Sequence, residues 1–151
     1  MGSILITGAN GGLGSATVSR IVSSPLGRDY YGIYTVRNPA KADSLNDILG
    51  RAAAQHHSHE LVAVDLSSLA SVRAAASDIN KRVAQGTVPR IRTMVLNAAY
   101  QDTTSLHMTK DGFEITFQVN YLSHFLLTLL LLESMDPQHG RIVVIGSWSH
   151  E

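Results

Sequence analysis

The sequence has 151 residues, with 12 basic and 12 acidic side chains, seven histidines and no cysteine. A chain of this length can form one domain that buries roughly 70 % of its unfolded surface, and its 44 % of apolar residues exclude a disordered chain. The formal charge of zero argues against nucleic acid as a partner, because phosphate binding needs clustered, uncompensated cations. The absence of cysteine excludes disulfides and thiolate metal sites, and it fits a reducing compartment.

The first strand in the pattern starts almost at the N-terminus. Met1 leads directly to the apolar run at Ile4, which leaves no room for the basic start and long apolar core of a targeting signal. The longest apolar stretch, residues 125–132, is far shorter than the roughly 20 residues of a membrane span. We therefore expect a cytoplasmic protein without a transmembrane segment, and peripheral membrane contact stays open.

The first half of the chain contains two predicted strand–helix pairs. An apolar strand over residues 3–7 ends in a glycine-rich turn, and a helix over residues 12–24 follows it. A second strand, rich in β-branched and aromatic residues, covers residues 31–36. Asn38 then precedes a proline at the first helical position, which predicts a helix through about Leu49.

The second half continues the alternation. After a polar, histidine-rich stretch over residues 50–60, the pattern predicts a third strand at residues 61–64. Ser67 or Ser68 caps the next predicted helix, which reaches about Ala84. The remaining predicted elements are, in order, a strand at residues 92–96, a long helix at residues 109–135 and a fifth strand at residues 141–145.

The predicted strands are continuously apolar rather than alternating, as expected when helices cover both faces of a parallel sheet. Strands separated by helices imply right-handed crossovers. The sequence therefore predicts a single α/β domain over residues 1–151, with a doubly wound parallel sheet. Because the chain stops a few residues after the fifth strand, without a closing helix, we expect this domain to be incomplete at its C-terminal end.

A glycine-rich turn joins the first strand to the first helix. Glycine at such a turn allows a tight bend, a close approach of the backbone to a pyrophosphate and close packing of the helix on the strand. The helix N-terminus adds N–H groups and a positive dipole. We therefore predict a nucleotide site here, with a purely structural turn as the alternative. Its candidate contact residues are Thr7, Gly8, Asn10, Gly11, Gly12, Leu13 and Gly14.

The end of the second strand predicts which nucleotide binds. An acidic residue there accepts a hydrogen bond from the ribose 2′-hydroxyl of NAD, whereas an arginine accommodates the 2′-phosphate of NADP. No Asp or Glu lies between Asp29 and Asp43, and Arg37 stands at the strand end. We therefore predict NADP rather than NAD, with Arg37 as the phosphate ligand. The alternative is an ordinary solvated arginine.

The turn has the spacing Thr-Gly-x-x-x-Gly-x-Gly, which resembles that of the short-chain dehydrogenase/reductase family, and the resemblance continues along the whole chain. Asp65-Leu66 is similar to the family's adenine-contacting Asp-Leu. Residues 96–99, Leu-Asn-Ala-Ala, resemble its Asn-Asn-Ala-Gly segment, with leucine and alanine in place of its first and last residues. Similarity to the retinol-dehydrogenase-like branch appears in residues 109–114, 117–128 and 146–150. The resemblance implies cofactor contacts from Asp65, Leu66, Asn97, Ala98 and Ala99.

The resemblance also implies a Rossmann-type sheet with strand order 3-2-1-4-5 and a catalytic tetrad of Asn, Ser, Tyr and Lys. Asn120 and Ser147 match the first two places. Asn120 interrupts an apolar helix, where asparagine has poor propensity, and a paired buried amide is the alternative. Ser147 follows the carboxyl end of a strand, where open α/β sheets bind ligands, and a turn serine is the alternative. Next to it, Trp148 is a candidate for a pocket wall or a packing residue.

We therefore expect an NADP-dependent oxidoreductase that interconverts a carbonyl and an alcohol by hydride transfer, present as its cofactor-binding part. No tyrosine in the chain has a lysine four positions later, so the Tyr-x-x-x-Lys half of the tetrad is missing and the chain alone is expected to be inactive. The branch resemblance implies an apolar small-molecule substrate. The alternative is a non-catalytic nucleotide-binding or interaction module, which a downstream in-frame Tyr-x-x-x-Lys would exclude.

Two further features concern partners and metals. Residues 141–145 are predicted to form an exposed edge strand, and the leucines of residues 126–132 surround their helix, so we expect self-association through both. His56, His57 and His59 lie in a polar stretch before the third strand, away from the carboxyl ends of the strands. A solvated loop explains them better than a metal site, and we predict no metal.

Overall fold

The computed structural model describes residues 2–53 and 56–147, which form a parallel sheet with helices on both faces. The five strands are β1 Gly2–Ile6, β2 Tyr30–Val36, β3 His59–Ala63, β4 Ile91–Leu96 and β5 Arg141–Val144. They lie side by side in the order β3-β2-β1-β4-β5. This order confirms the doubly wound sheet predicted from the sequence.

The strands are in register, so that their carboxyl ends meet at one edge of the sheet. Ile6 at the end of β1 lies opposite Tyr34 of β2 and Val95 of β4. Leu96, the last residue of β4, lies opposite Val144, the last residue of β5. The segments that follow the strands are therefore neighbours at this edge, where open α/β sheets bind their ligands.

Helices cover the two faces in pairs. The helices are α1 Gly12–Val22, α2 Asp43–Ala53, α3 Leu69–Ala84, α4 Ile115–Phe117 and α5 Ser123–Leu131. The π-helical segment Gln118–Leu122 joins α4 to α5, so that the three form one continuous helix. Helices α1 and α2 pack together on one face of the sheet, and α3 packs with α5 on the other.

Alternate residues of strands β1 to β4 contribute to two separate cores. Leu5 and Ile33 lie with the buried side chains of α3 and α5, whereas Ile6 and Tyr34 lie with those of α1 and α2. This division follows from the period of two along a strand. Each central strand is consequently apolar on both faces, which explains the continuous apolar runs in the sequence.

The leucine-rich helix is only partly covered by the described residues. Leu127 and Leu131 are fully buried, whereas Leu129 and Leu132 are each 50 % exposed. In the described sheet β5 pairs with β4 alone and is an edge strand. By length and composition residues 115–134 would suffice to cross a membrane. The buried leucines, however, pack against α3 and the sheet, as in the core helix of a globular domain.

The long helix begins at Ile115, later than the predicted start at Thr109. Gly112 has a φ of +83°, in the left-handed region that a right-handed helix cannot contain. The two carboxylate oxygens of Glu114 then accept main-chain N–H groups of the first turn, each at 2.7 Å. The predicted first turn is therefore a loop that ends in a carboxylate cap.

The helix predicted after β2 is divided. Asn38 caps it as expected, because its side chain accepts a main-chain N–H two residues later at 3.0 Å. The turn that follows is a short 3-10 helix, Pro39–Lys41, and α2 begins only at Asp43. Helix α2 then extends to Ala53, beyond the predicted end at Leu49.

The histidine-rich stretch is not the solvated loop that the sequence predicted. Within residues 50–60, α2 occupies the start and β3 begins two residues after His57. The His57 side chain is buried, with only 5 % of the residue exposed. Its Nδ1 lies 2.6 Å from the main-chain oxygen of Gly27, and its Nε2 lies 2.9 Å from the Tyr34 hydroxyl. Gly27 and Tyr34 lie far upstream of His57 in the sequence, so the polar residues around His57 could not indicate that its side chain is buried.

Candidate cofactor site

A groove of about 560 Å³ lies at the carboxyl edge of the sheet. Its walls come from the turn after β1 and from the segments that follow β2, β3 and β4. The structure brings together residues from four distant parts of the sequence. All the predicted cofactor residues except Thr7 line this groove, namely Gly8, Asn10, Gly11, Gly12, Leu13, Gly14, Arg37, Asp65, Leu66, Asn97, Ala98 and Ala99.

The glycines of the turn meet different requirements. Gly8 has a φ of +63°, and a Cβ atom there would lie 2.9 Å from Cα of Ala98. A Cβ atom on Gly14 would lie 2.3 Å from the main-chain oxygen of Gly8. At Gly12 a Cβ atom would meet no described atom within 4 Å. Packing therefore requires glycine at positions 8 and 14, whereas glycine at position 12 only keeps the groove open.

The N-terminus of α1 faces this groove without a side-chain cap. Gly11 occupies the N-cap position and has no side chain that could accept the first N–H groups of the helix. No acidic residue lies in the first turn either. The free N–H groups and the positive end of the helix dipole therefore remain available for a phosphate ligand.

Thr7 lies beneath the groove rather than in its wall. The residue is fully buried. Its hydroxyl oxygen accepts the main-chain N–H groups of Asn97 and Ala98 at 2.9 and 3.0 Å. The Asn97 amide in turn donates to the main-chain oxygens of Thr7 and Gly8, at 2.9 and 3.3 Å. Thr7 therefore fixes the end of β4 against the glycine turn, a positioning role that the sequence did not predict.

Two exposed cations stand where β2 ends. Arg37 and Lys41 both line the groove. No carboxylate among the described residues forms an ion pair with either of them. The sequence pattern does not indicate Lys41, because only the 3-10 turn after Asn38 brings this residue back to the groove. Lys41 is therefore a second candidate phosphate ligand beside the predicted Arg37.

The segment after β3 is held by hydrogen bonds on both sides. Oδ1 of Asp65 accepts hydrogen bonds from the N–H and the hydroxyl of Ser67, at 2.9 and 2.7 Å. The main-chain oxygen of Leu66 accepts the Ser123 hydroxyl at 2.6 Å and the Gln118 amide at 3.5 Å. The π-helical segment therefore helps to position the predicted adenine side of the groove.

The two candidate catalytic residues lie next to this edge of the sheet. Asn120 is exposed, and its amide both accepts from the N–H of Tyr100 at 2.7 Å and donates to the oxygen of Tyr100 at 2.9 Å. The Asn120 amide is therefore hydrogen-bonded, as in the alternative to a catalytic role, but it is exposed and not buried. Ser147 is exposed and follows β5. Trp148 and His150 lie outside the described residues.

The loop after β4 carries an exposed acid–histidine pair. Nε2 of His107 lies 3.0 Å from Oδ2 of Asp102. Hydrogen bonds from Thr104, with a smaller contribution from His107, lower the pKa of Asp102 to about 2. Across residues 2–53 and 56–147, no group of three His, Asp or Glu side chains converges as a metal site would require.

Known proteins resemble this chain over nearly its whole length. A family model described as short chain dehydrogenase matches residues 3–150. The short-chain dehydrogenase iccH of Talaromyces variabilis is 58 % identical over 152 residues, covering 99 % of this chain and 42 % of that protein. Retinol dehydrogenase 14 of Mus musculus is 37 % identical over 157 residues, covering 96 % of this chain and 43 % of that protein. The chain therefore spans less than half the length of these relatives.

Solved structures show the same architecture. A metagenomic short-chain oxidoreductase in complex with NADP superposes with a TM-score of 0.76 at 24 % identity, covering 98 % of this chain and 62 % of that one. A blue fluorescent protein from a metagenomic library, in complex with NADPH, gives a TM-score of 0.74 at 25 % identity, covering 97 % and 56 %. The described residues therefore share the fold of this short-chain oxidoreductase.

Proposed function

Because this chain belongs to the short-chain dehydrogenase family, we propose that it is the NADP(H)-binding part of an oxidoreductase that interconverts a carbonyl and an alcohol by hydride transfer. The observation that carries the proposal is the groove at the carboxyl edge of the sheet, which the predicted cofactor residues line together. The match of residues 3–150 to the family model supports the same conclusion.

The residues of the groove fit a dinucleotide. Gly12 leaves space that no described atom fills, and the first N–H groups of α1 have no side-chain cap, so a pyrophosphate has both room and donors there. Asp65 and Leu66 also line the groove, where they would contact the adenine end, and Ser123 holds Leu66 by a hydrogen bond to its main-chain oxygen. When bound, the nicotinamide ring supplies or accepts the hydride.

NADP is the proposed nucleotide rather than NAD. Arg37 and Lys41 place two positive charges at the end of β2, and no acidic residue stands there to bind a 2′-hydroxyl. Two cations without ion-pair partners in the described part of the chain suit the 2′-phosphate of NADP. The NADP complex among the similar structures agrees with this choice.

For the chemical step, we assign a substrate-facing role to Ser147 and a positioning role to Asn120. The Ser147 hydroxyl is a hydrogen-bond donor for the substrate oxygen, at the edge where ligands of open sheets bind. Asn120 holds the loop at Tyr100 through both atoms of its amide. The retinol dehydrogenase among the relatives supports an apolar alcohol or carbonyl as the substrate.

We expect the chain alone to bind the nucleotide without turning over a ketone or aldehyde. None of its tyrosines has a lysine four positions later, so the general acid that the family resemblance implies has no counterpart in these residues. A positioned acid contributes roughly 10²–10⁴-fold to such a reaction. Turnover by the chain alone, on the order of 1–10³ s⁻¹, would contradict this assignment.

Titration of the purified chain with NADPH and NADH, followed by the fluorescence of the reduced nicotinamide, tests the proposal. We expect saturable binding of both nucleotides, with NADPH bound more tightly. The adenosine nucleotide that carries a 2′-phosphate should displace NADPH better than the one without it. Failure of a folded chain to bind either nucleotide would overturn the proposal, and equal affinities would overturn the choice of NADP.

A further inference from the structure

The start of the long helix holds the loops at the carboxyl edge of the sheet. Its side chains bind the segments after β3 and β4, as described above. His124 is the next polar residue of this helix, and it extends the connection to the turn after β1. The residue is buried, with 5 % exposed, and its Nε2 lies 2.9 Å from the Thr7 hydroxyl oxygen. None of the functions assigned so far uses this imidazole.

The two partners of His124 fix its tautomer. Nδ1 lies 3.3 Å from the main-chain oxygen of Asn120, and because a carbonyl can only accept, Nδ1 carries the hydrogen. In the neutral ring Nε2 is then an acceptor, and the Thr7 hydroxyl donates to it. Burial lowers the pKa of His124 in spite of the hydrogen bond to Asn120, which agrees with a neutral ring.

This direction of donation uses the single hydrogen of the Thr7 hydroxyl, for which the main-chain oxygen of Val95 is a more distant acceptor, at 3.5 Å against 2.9 Å for Nε2 of His124. The Thr7 hydroxyl oxygen has two lone pairs, and they accept the main-chain N–H groups of Asn97 and Ala98. A hydrogen on Nε2 of His124 would be a third donor directed at the same oxygen, with no lone pair left to receive it. The Nδ1–H tautomer of His124 is therefore the one compatible with both N–H groups at the end of β4.

We propose that His124 is a positioning residue that couples the nucleotide groove to the helix carrying Asn120. By accepting the Thr7 hydroxyl it orients that oxygen towards Asn97 and Ala98, which line the groove. Ala98 in turn packs against Gly8 of the glycine turn. By donating to the Asn120 oxygen, the same ring holds the helix in register with this wall. The inference rests on the proposed nucleotide site.

Three variants of the chain test the coupling through the NADPH dissociation constant. His124→Phe keeps an aromatic ring and removes both hydrogen bonds. Because only the bond to Thr7 leads to the groove, we expect NADPH binding to weaken about fivefold, the effect of one lost hydrogen bond. His124→Gln keeps an acceptor for the Thr7 hydroxyl, so the NADPH dissociation constant of this variant should lie within about twofold of that of the parent chain. Ser134→Ala is the matched control, because it removes a buried 2.6 Å hydrogen bond to Asn80 at the far end of the helix.

The control separates positioning from stability. We expect Ser134→Ala to lower the melting temperature without changing the NADPH affinity, whereas His124→Phe changes both. Unchanged affinity in a folded His124→Phe chain would overturn the inference and leave the proposed function intact. A parent chain that binds no NADPH would overturn the proposed function instead.

Nitrogen NMR of the imidazole gives a second test that needs neither a variant nor a nucleotide. Long-range proton–nitrogen spectra distinguish the two neutral tautomers of a histidine. We expect the His124 ring of the parent chain to be the Nδ1–H tautomer at pH 7.5. An Nε2–H tautomer would overturn the inference, even where His124→Phe fails to fold.

Discussion

The main-chain oxygen of Gly8 lies where a side chain on Gly14 would begin, because a Cβ atom at residue 14 would be only 2.3 Å from it. The first turn of α1 can therefore pack onto the glycine turn only if residue 14 lacks a side chain. Gly12 is the opposite case, since a Cβ atom there would meet no described atom within 4 Å. The two positions allow the folding requirement and the ligand requirement to be tested separately.

Gly12→Val should fold and lose NADPH. The added side chain enters open space at the N-terminus of α1 and occupies the path of the pyrophosphate, so we expect affinity to fall by more than about tenfold with little change in melting temperature. Gly14→Ala is the contrasting variant, because overpacking costs about 1–3 kcal/mol of stability. Calorimetric melting and fluorescence titration give both quantities. Parental affinity in a folded Gly12→Val chain would place the nucleotide elsewhere.

Arg37→Asp should reverse the nucleotide preference. The substitution removes a cation from the 2′-phosphate position and supplies an acceptor for a 2′-hydroxyl. We expect NADPH affinity to fall by about tenfold to 150-fold, the range for the loss of a hydrogen bond to a charged group, and NADH affinity to rise. Lys41→Ala should weaken NADPH by a smaller factor and leave NADH unchanged.

The control for this charge change is Arg28→Asp. Arg28 is exposed and precedes β2, at the opposite edge of the sheet from Arg37. The same change in net charge there should leave the ratio of the two dissociation constants unaltered. If Arg28→Asp shifted that ratio as much as Arg37→Asp, the change in nucleotide preference would be due to the overall charge and not to the position of Arg37.

Buried His57 predicts a fall in stability on mild acidification. Burial lowers its pKa, with a smaller contribution from His59, although the hydrogen bond to Gly27 acts in the opposite direction. The unfolded histidine titrates near about 6.5. Between the lowered pKa of His57 in the folded chain and its pKa in the unfolded chain, the unfolded chain binds more protons than the folded one. The stability that depends on neutral His57 is therefore full above about pH 7, and it is lost as the pH falls from there to the folded pKa.

The slope contributed by one such histidine is at most about 1.4 kcal/mol per pH unit. Denaturant unfolding between pH 7.5 and 5.5 measures it, and His57→Gln, which keeps a neutral donor and acceptor, should have a smaller slope. His56→Asn is the control, because that histidine is exposed and asparagine tolerates its φ of 60°. An unaltered slope in His57→Gln would contradict the prediction.

The uncovered side of the long helix predicts self-association of the chain. Three aromatic side chains form a row along it, and a fourth from the loop before the helix extends this row. Neighbouring ring centroids are 5.5 to 6.4 Å apart, and all four side chains are exposed. Each apolar side chain that a second copy covers completely contributes roughly 1.5–3 kcal/mol. We therefore expect a marginally stable chain that forms dimers or larger species at micromolar concentrations. The row consists of Phe113, Phe117, Tyr121 and Phe125.

Phe125→Lys, on this exposed row, should shift the chain towards monomer in sedimentation velocity experiments. Gln138→Lys adds the same charge on an exposed loop outside the row and serves as the control. A parent chain that is monodisperse, monomeric and melts in one sharp transition would contradict the prediction.

The order of elements could be predicted because it depends on local pattern. Continuous apolar runs indicate doubly covered strands, and Ser68 caps α3 where its side chain accepts a hydrogen bond at 3.3 Å from Ser71. The start of the long helix could not be predicted in this way. Gly112 tolerates helical and left-handed backbone alike, so only the structure shows that it interrupts the helix.

The candidate site likewise contains residues that could be predicted from the sequence and residues that could not. Its glycine turn and Arg37 could be predicted, because motif spacing and a strand end indicate them directly. Lys41 could not, since its place at the groove depends on a short 3-10 turn. The burial of His57 and the contact of His124 with Thr7 also depend on partners in distant segments. Such contacts leave no periodic signal in a single sequence.

The position of these partners has a consequence for synthesis on the ribosome. The hydroxyl of Thr7 finds its partners 88 to 117 positions further along the chain. At an elongation rate of about 5–20 residues per second, roughly 6–23 s separate the synthesis of the turn from that of its last partner. The glycine turn therefore acquires its last hydrogen-bond partner only when the long helix has been synthesised. If the proposed nucleotide site is correct, we expect a nascent chain to bind the dinucleotide at full affinity only after the long helix has been synthesised.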